Sequence, residues 1–233
     1  MNKLLLAALA ALLAAPIARA QTAPPPSKWG SVELGGGGYK PNIDHEFHGS
    51  ATPWRDAFGG GPAPMYRLHV AKSIWDGFGS LELGFKTGFF SKSGHALTTT
   101  PPYTRTGDRT TFNIIPTSIT VTWRGDLVYE QAHVPLVPYV RAAFERYNWW
   151  VTKQGNWGRR GATNGWSASA GLVLVLDWLD PDAAREMGRD YSVSHTGLYF
   201  DVTKSKVDDF GSKKSWDLSE KGLFWSTGLL VVF

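Results

Sequence analysis

After residue 28, the chain divides into segments of about ten residues in which apolar and polar side chains alternate. In the segment 79–90, Leu83 and Phe85 fall on one face, whereas Glu82 and Lys86 fall on the other. A period of two residues is typical of a β-strand with one apolar face. Eight such segments predict eight strands, at 29–39, 64–75, 79–90, 112–129, 136–149, 165–178, 196–204 and 222–233.

The connections between these segments alternate between long and short. The stretch DPDAAREMG within the last short connection predicts one short helix, with Asp180 as its N-cap, Pro181 in its first turn and Gly188 at its end. An even number of strands with such connections predicts an all-β, antiparallel up-and-down barrel, with this helix at its periplasmic end. The long connections are predicted at 40–63, 91–111, 150–164 and 205–221, and the short ones at 76–78, 130–135 and 179–195.

The direction of the apolar faces distinguishes two kinds of barrel. In a secreted lipocalin-like carrier they line the interior, whereas in an outer-membrane barrel they face lipid. The polar faces here carry small and ionisable residues, such as Ser80, Glu82 and Lys86. These fit the narrow interior of an eight-stranded barrel, which a row of large apolar side chains would overcrowd. The pattern therefore favours a transmembrane barrel.

Tryptophan residues gather near the predicted strand ends, as the two interfaces of a bilayer favour. The predicted aromatic belts contain Trp29, Trp75, Trp123 and Trp178 near the short turns, and Trp149, Trp150 and Trp166 near the long loops.

The first twenty residues have a short basic start, an apolar run and a small-residue ending, which predicts a cleaved secretory signal peptide. The Pro-rich leader 21–28 follows, and 29–233 is predicted to be one outer-membrane barrel domain. No later segment has the roughly eighteen consecutive apolar residues of a membrane-spanning helix. The chain has no cysteine, and its net charge of +4 falls to +2 without Lys3 and Arg19. Nucleic acid is therefore not an expected partner.

Several segments are similar to a known group of proteins. YKPNID (39–44), the stretch 58–94, VPLVPYVRAAF (134–144) and LDWLDPDAARE (176–186) resemble uncharacterised outer-membrane β-barrel proteins of myxobacteria and related bacteria. The resemblance implies the outer membrane of a Gram-negative bacterium but no activity. The apolar, Phe-terminated end also resembles the signal by which the barrel-assembly machinery recognises its substrates. That resemblance implies an assembly signal formed by Trp225, Leu229, Val231 and Phe233.

Ionisable residues on the polar faces are expected to meet inside the barrel. Unpaired ions in such a narrow space cost several kcal/mol, so these side chains are predicted to pair. A plugged lumen with a structural or surface-binding role is the main prediction, and a narrow porin-like channel is an alternative. The predicted network comprises Glu33, Arg67, His69, Glu82, Lys86, Arg141, Glu145 and Asp201.

Three further groups of residues are candidate sites. Lys153, Arg159 and Arg160 in the third long loop are candidates for binding lipopolysaccharide phosphates, and membrane lipid is the expected partner. His45 and His48 form a weak metal candidate whose spacing matches no specific site, so no metal and no cofactor is predicted.

The third site concerns catalysis. Asp190, Ser192, Ser194 and His195 contain the residue types of a hydrolase but no assembled triad. A lipid-modifying enzyme is therefore only an alternative.

Overall fold

The computed structural model describes residues 29–98, 103–154, 156–212, 215–220 and 222–233, without the side chain of Trp157. The predicted signal peptide and the leader 21–28 lie outside the described residues. Among the described helices, none has the length and apolar character needed to cross a membrane.

Eight antiparallel strands form a closed barrel in which each strand pairs with its neighbours in the chain and β1 pairs with β8. The predicted fold is thus confirmed. At the closing seam, a Cβ atom on Gly35 would clash with the carbonyl oxygen of Thr227 on β8, so the close approach requires glycine. The strands are β1 Gly30–Tyr39, β2 Ala63–Gly77, β3 Gly79–Leu97, β4 Arg105–Arg124, β5 Leu136–Lys153, β6 Asn156–Val175, β7 His195–Lys206 and β8 Phe224–Val232.

Both ends of the barrel wall lie at one rim, which we call the terminal rim. There the amide of Trp29 donates to the carbonyl oxygen of Phe233 at 2.7 Å. The connections after β2, β4 and β6 lie at this rim, and those after β1, β3, β5 and β7 lie at the opposite loop rim.

Two predicted long loops are instead strand extensions. β3 and β4 continue to Leu97 and from Arg105, and β5 and β6 leave only 154–155 between them. The prediction of long connections at 91–111 and 150–164 was wrong because apolar alternation weakens in these segments although the strands continue. Backbone pairing needs no apolar face and continues past the point where the alternation weakens.

Three α-helices are present in the described residues: α1 Pro53–Phe58, α2 Leu127–Ala132 and α3 Pro181–Tyr191. α3 is the predicted helix, and its N-cap is confirmed, because Oδ1 of Asp180 accepts from the Ala183 amide at 3.0 Å. Gly188 lies within α3 rather than at its end. The predicted strand 112–129 ends at Arg124, and α2 follows it.

The interior has three layers. An apolar cluster closes the terminal-rim end, and a larger aromatic cluster closes the loop-rim end. α1 inserts Trp54 into the aromatic cluster, and the connection 207–223 inserts Leu218. Polar and charged side chains fill the layer between them. The terminal-rim cluster contains Val137, Tyr139, Val173, Val175, Tyr199, Leu230 and Val232.

Candidate functional site

The barrel has an inverted distribution of polarity. Outward-facing Leu34 and Ile119 are 58% and 61% exposed, whereas inward-facing Glu33 and Glu145 are 3% and 1% exposed. Buried ionised groups require partners, so these inward-facing acids need cations or hydroxyl groups close to them.

Glu33 on β1 is the centre of the charged layer. Its Oε1 lies 2.6 Å from Nη2 of Arg141 on β5 and 3.5 Å from Nη2 of Arg124 on β4. Its Oε2 lies 3.4 Å from Nδ1 of His69 on β2. Four strands are therefore tied together through one carboxylate.

Glu82 on β3 is the second acid. Its Oε2 lies 3.0 Å from Nη2 of Arg124 and accepts from Oγ of Ser31 at 3.1 Å. Arg124 is absent from the predicted network, although its position on the polar face of β4 was the available signal. With Arg124 included, the four acids of the network face four fixed cations and His69.

Glu145 on β5 forms a separate cluster nearer the loop rim. Its Oε1 lies 3.1 Å from Nζ of Lys86 and accepts from Oγ of Ser167 at 2.6 Å. Its Oε2 accepts from the hydroxyl of Ser118. The acid is therefore held by one ammonium and two hydroxyl groups, which satisfy most of its lone pairs.

Asp201 and Arg67 are bound differently from the other charges. Asp201 accepts from the Tyr139 hydroxyl at 3.0 Å and from the Ser226 hydroxyl at 2.6 Å. The guanidinium carbon of Arg67 lies 4.2 Å from the ring centroid of Phe224, a cation–π contact. The structure thus brings all eight predicted network residues into the barrel interior, but not into one continuous set of ion pairs.

The layered filling leaves little room for solvent in the described interior. A cavity between Arg124 and His195 has a volume of about 10 Å³, near the minimum that holds one water molecule. In the described residues, buried side chains thus occupy the interior at both ends and in the layer between them.

The predicted belt residues lie on the outer surface, with one exception. Trp29, Trp75, Trp166 and Trp178 are exposed, and Trp123 and Trp150 are half-buried. Trp149 is the exception: its ring stacks on Trp216 with centroids 4.4 Å apart, in contact with the loop-rim aromatic cluster. The assignment of Trp149 to the belt was wrong. It rested on closeness to a strand end, whereas the odd-numbered residues of β5 face inward.

The predicted assembly-signal residues share one place in the fold. Trp225, Leu229 and Val231 project outward from β8, and Phe233 follows that strand. The Phe233 ring packs against Trp29 with centroids 5.6 Å apart. Recognition by the assembly machinery stays a prediction.

The three predicted lipopolysaccharide contacts, Lys153, Arg159 and Arg160, lie exposed on the β5–β6 hairpin rather than in a coil. The rings of His45 and His48 lie 6.4 Å apart, and the described residues contain no group of three side chains that could hold a metal.

The predicted hydrolase residues do not come together: Asp190 pairs with Arg189, and the acid beside His195 is Asp177, which is outside the predicted set. Nδ1 of His195 lies 2.7 Å from Oδ2 of Asp177, which pairs a base with an orienting acid. In the described part of the chain, the buried hydroxyl of Ser194 has no hydrogen-bond partner, so no nucleophile is joined to the histidine.

No family model and no curated protein matches the chain. Among solved structures, Neisserial surface protein A is 8% identical, with 88% of this chain and 93% of that chain covered and a TM-score of 0.43. The N-terminal β-barrel domain of Pseudomonas aeruginosa OprF is 15% identical, with 89% and 98% covered and a TM-score of 0.40.

Ail of Yersinia pestis, solved with the heparin analogue sucrose octasulfate, is 9% identical, with 88% and 95% covered and a TM-score of 0.38. At such scores and identities, the function of this chain does not follow from these neighbours. None of them bears on the predicted myxobacterial group, which stays a prediction.

Proposed function

We propose that this protein is an integral outer-membrane β-barrel of a Gram-negative bacterium with a structural or surface-binding role. The observation that carries the proposal is the inverted polarity of the barrel, with an apolar outer face around a charged interior. In water that outer face would be an exposed apolar surface on nearly every strand, far larger than soluble monomers carry. In lipid the apolar outer face contacts apolar acyl chains, and closure of the sheet gives the backbone N–H and C=O groups hydrogen-bond partners.

A plugged lumen supports a structural or surface role over a channel. The two apolar clusters enclose the charged layer, and Glu33 and Glu145 have their cationic partners within it. A conducting path would require charged groups that face water rather than one another. Planar-bilayer recordings of the refolded protein test this point: we expect no steady conductance, and a stable single-channel step would favour the porin-like alternative.

Membrane residence is tested by isolating outer membranes and comparing boiled and unboiled samples on an SDS gel. We expect a carbonate-resistant protein whose unboiled band migrates differently, because a closed barrel resists SDS until it is heated. A carbonate-soluble protein with no heat shift would contradict the proposal and favour the lipocalin-like alternative.

A lipid-modifying enzyme is disfavoured because His195 lacks a bound nucleophile in the described residues. We expect the composition of lipid A to stay unchanged in a strain that overproduces the protein, as for a protein without lipid-modifying activity.

A further inference from the structure

The outward-facing side chains of β5, β6 and β7 change from apolar to polar at one level near the loop rim. Along the outer face towards the loop rim, Phe144 on β5 is followed by Arg146, and Trp166 on β6 is followed by Asn164. On β7, Val202 is followed by Lys204 and Lys206. We call Arg146, Lys204 and Lys206 the rim patch.

The strand register places the rim patch on one continuous surface. Arg146 pairs with Asn164, and Lys206 pairs directly with Trp166. Lys206 thus lies directly opposite Trp166, with Cβ atoms about 5 Å apart, whereas Arg146 and Lys204 occupy diagonal positions about 7–8 Å from it. Trp166 in turn pairs with Phe144 on its other side.

The cations of the rim patch are only weakly engaged within the protein. Nη1 of Arg146 donates to the side-chain oxygen of Asn164 at 3.0 Å, and Nζ of Lys204 lies 3.5 Å from a backbone carbonyl oxygen. Nζ of Lys206 lies 3.5 Å from Oδ2 of Asp208. Asp209, the other nearby acid, accepts from the amide of Asn164. Among the described residues, these three exposed cations therefore have one direct carboxylate contact, between Lys206 and Asp208.

The patch is confined to one side of the barrel. On β1 to β4, the described outward-facing positions just beyond the apolar band are uncharged. They are Gly38, Pro64, Ser91 and Asn113. A general preference for cations near a membrane surface would not concentrate them on β5 and β7, the two neighbours of β6.

We propose that the rim patch binds the phosphorylated headgroup of a glycolipid of the outer leaflet, with Arg146, Lys204 and Lys206 on its phosphates and Trp166 against its sugar or upper acyl region. The inference rests on the proposed function, because it requires this rim to lie at the outer leaflet. The argument is charge complementarity at the level where the apolar band ends, since guanidinium and ammonium groups form strong charge-assisted bonds to phosphate. It moves the predicted lipopolysaccharide contact from the hairpin tip to the membrane edge.

The test measures binding of fluorescent lipid A to the refolded full barrel in detergent micelles. The triple variant Arg146→Gln, Lys204→Gln, Lys206→Gln is expected to weaken binding at least about tenfold, because it removes three charge-assisted contacts. A charge-matched control, Lys72→Gln, Arg185→Gln, Arg189→Gln, removes three exposed cations near the terminal rim. It is expected to change binding by less than about twofold, since screened distant charges contribute little.

Three outcomes would overturn the inference: unchanged binding by the rim-patch variant, an equal loss in the control, or a selective loss in Lys153→Gln, Arg159→Gln, Arg160→Gln. Displacement of lipid A by inorganic phosphate at low millimolar concentration would indicate a simple anion site and also overturn it. Heat shift and carbonate resistance of each variant are measured in parallel. A soluble wild type refutes the proposed function, whereas a heat-modifiable membrane protein with an inactive rim patch refutes only the inference.

Discussion

Nη2 of Arg141 on β5 lies 2.6 Å from Oε1 of Glu33 on β1, across 108 positions of the chain. The two strands are not neighbours, because β1 pairs with β2 and β8. The ion pair therefore crosses the lumen and joins opposite walls of the barrel. Both side chains are at most 5% exposed, so water cannot replace either partner.

Removing both partners of this pair should cost less than the sum of the two single removals. Arg141→Met leaves Glu33 with the weaker contacts to Arg124 and His69, and we expect a loss of about 3 kcal/mol in the free energy of unfolding. In Glu33→Leu, Arg141→Met neither buried charge remains, so the loss should be smaller than the sum of the single losses. Urea unfolding in detergent, followed by tryptophan fluorescence, measures both. Strict additivity would show that the pair contributes no coupling.

Glu220 predicts a pH dependence of stability. It lies in the connection 207–223, where burial raises its pKa to about 8, and both carboxylate oxygens lack hydrogen-bond partners in the described residues. The folded state thus holds a proton that the unfolded state releases near the ordinary pKa of 4.5. Stability from this group should be greatest below that value and lost as the pH rises to about 8, by an amount on the order of a few kcal/mol.

The variant Glu220→Gln keeps the shape of the side chain and cannot ionise. Its unfolding midpoint in urea should therefore vary less between pH 5 and pH 9 than that of the wild type, with the larger difference at pH 9. If the urea midpoints of the two proteins changed with pH by the same amount, the pH dependence of stability would come from groups other than Glu220.

Trp149 and Trp166 should respond oppositely to lipid. Trp166 is 44% exposed on the outer face, whereas Trp149 stacks on Trp216 inside the loop rim. In brominated-lipid vesicles, the lipid should quench the fluorescence of Trp166 but not that of Trp149. Trp166→Phe should therefore remove quenched fluorescence, and Trp149→Phe should remove unquenched fluorescence. Trp149→Ala should also destabilise the barrel by about 3 kcal/mol, because it leaves a cavity in the aromatic cluster. Lipid quenching of Trp149 would contradict its inward placement.

Phe233 should matter for assembly in the cell more than for the folded barrel. Its ring packs on Trp29 at the terminal rim, outside the charged layer. We expect Phe233→Ala to lower the amount of heat-modifiable protein in outer membranes severalfold while refolding into detergent stays efficient. Leu223→Ala, at the other end of the same segment, is the matched control. Equal losses in cells and in vitro would mean that Phe233 acts through stability alone.

The eight strands were predictable because each one has an apolar and a polar face, which gives its sequence a period of two. The same reasoning placed eight network residues inside, since alternate residues of a strand share a face. It missed Arg124, whose contacts with Glu33 and Glu82 depend on the diameter of the barrel and the stagger of its strands. It also misplaced Trp149, because the belt was assigned from closeness to strand ends, whereas the alternation along β5 places that residue inward.

The sequence by itself thus determined the number of strands, their order and the inward or outward direction of most side chains within the apolar band. These properties follow from alternation, which is local and has a strict geometric cause. Only the tertiary structure decided which charges pair across the lumen, how far the hairpins continue beyond the band, and how α1 and the connection 207–223 close the loop rim. Those features arise when distant segments meet at fixed distances, and no local period encodes such distances.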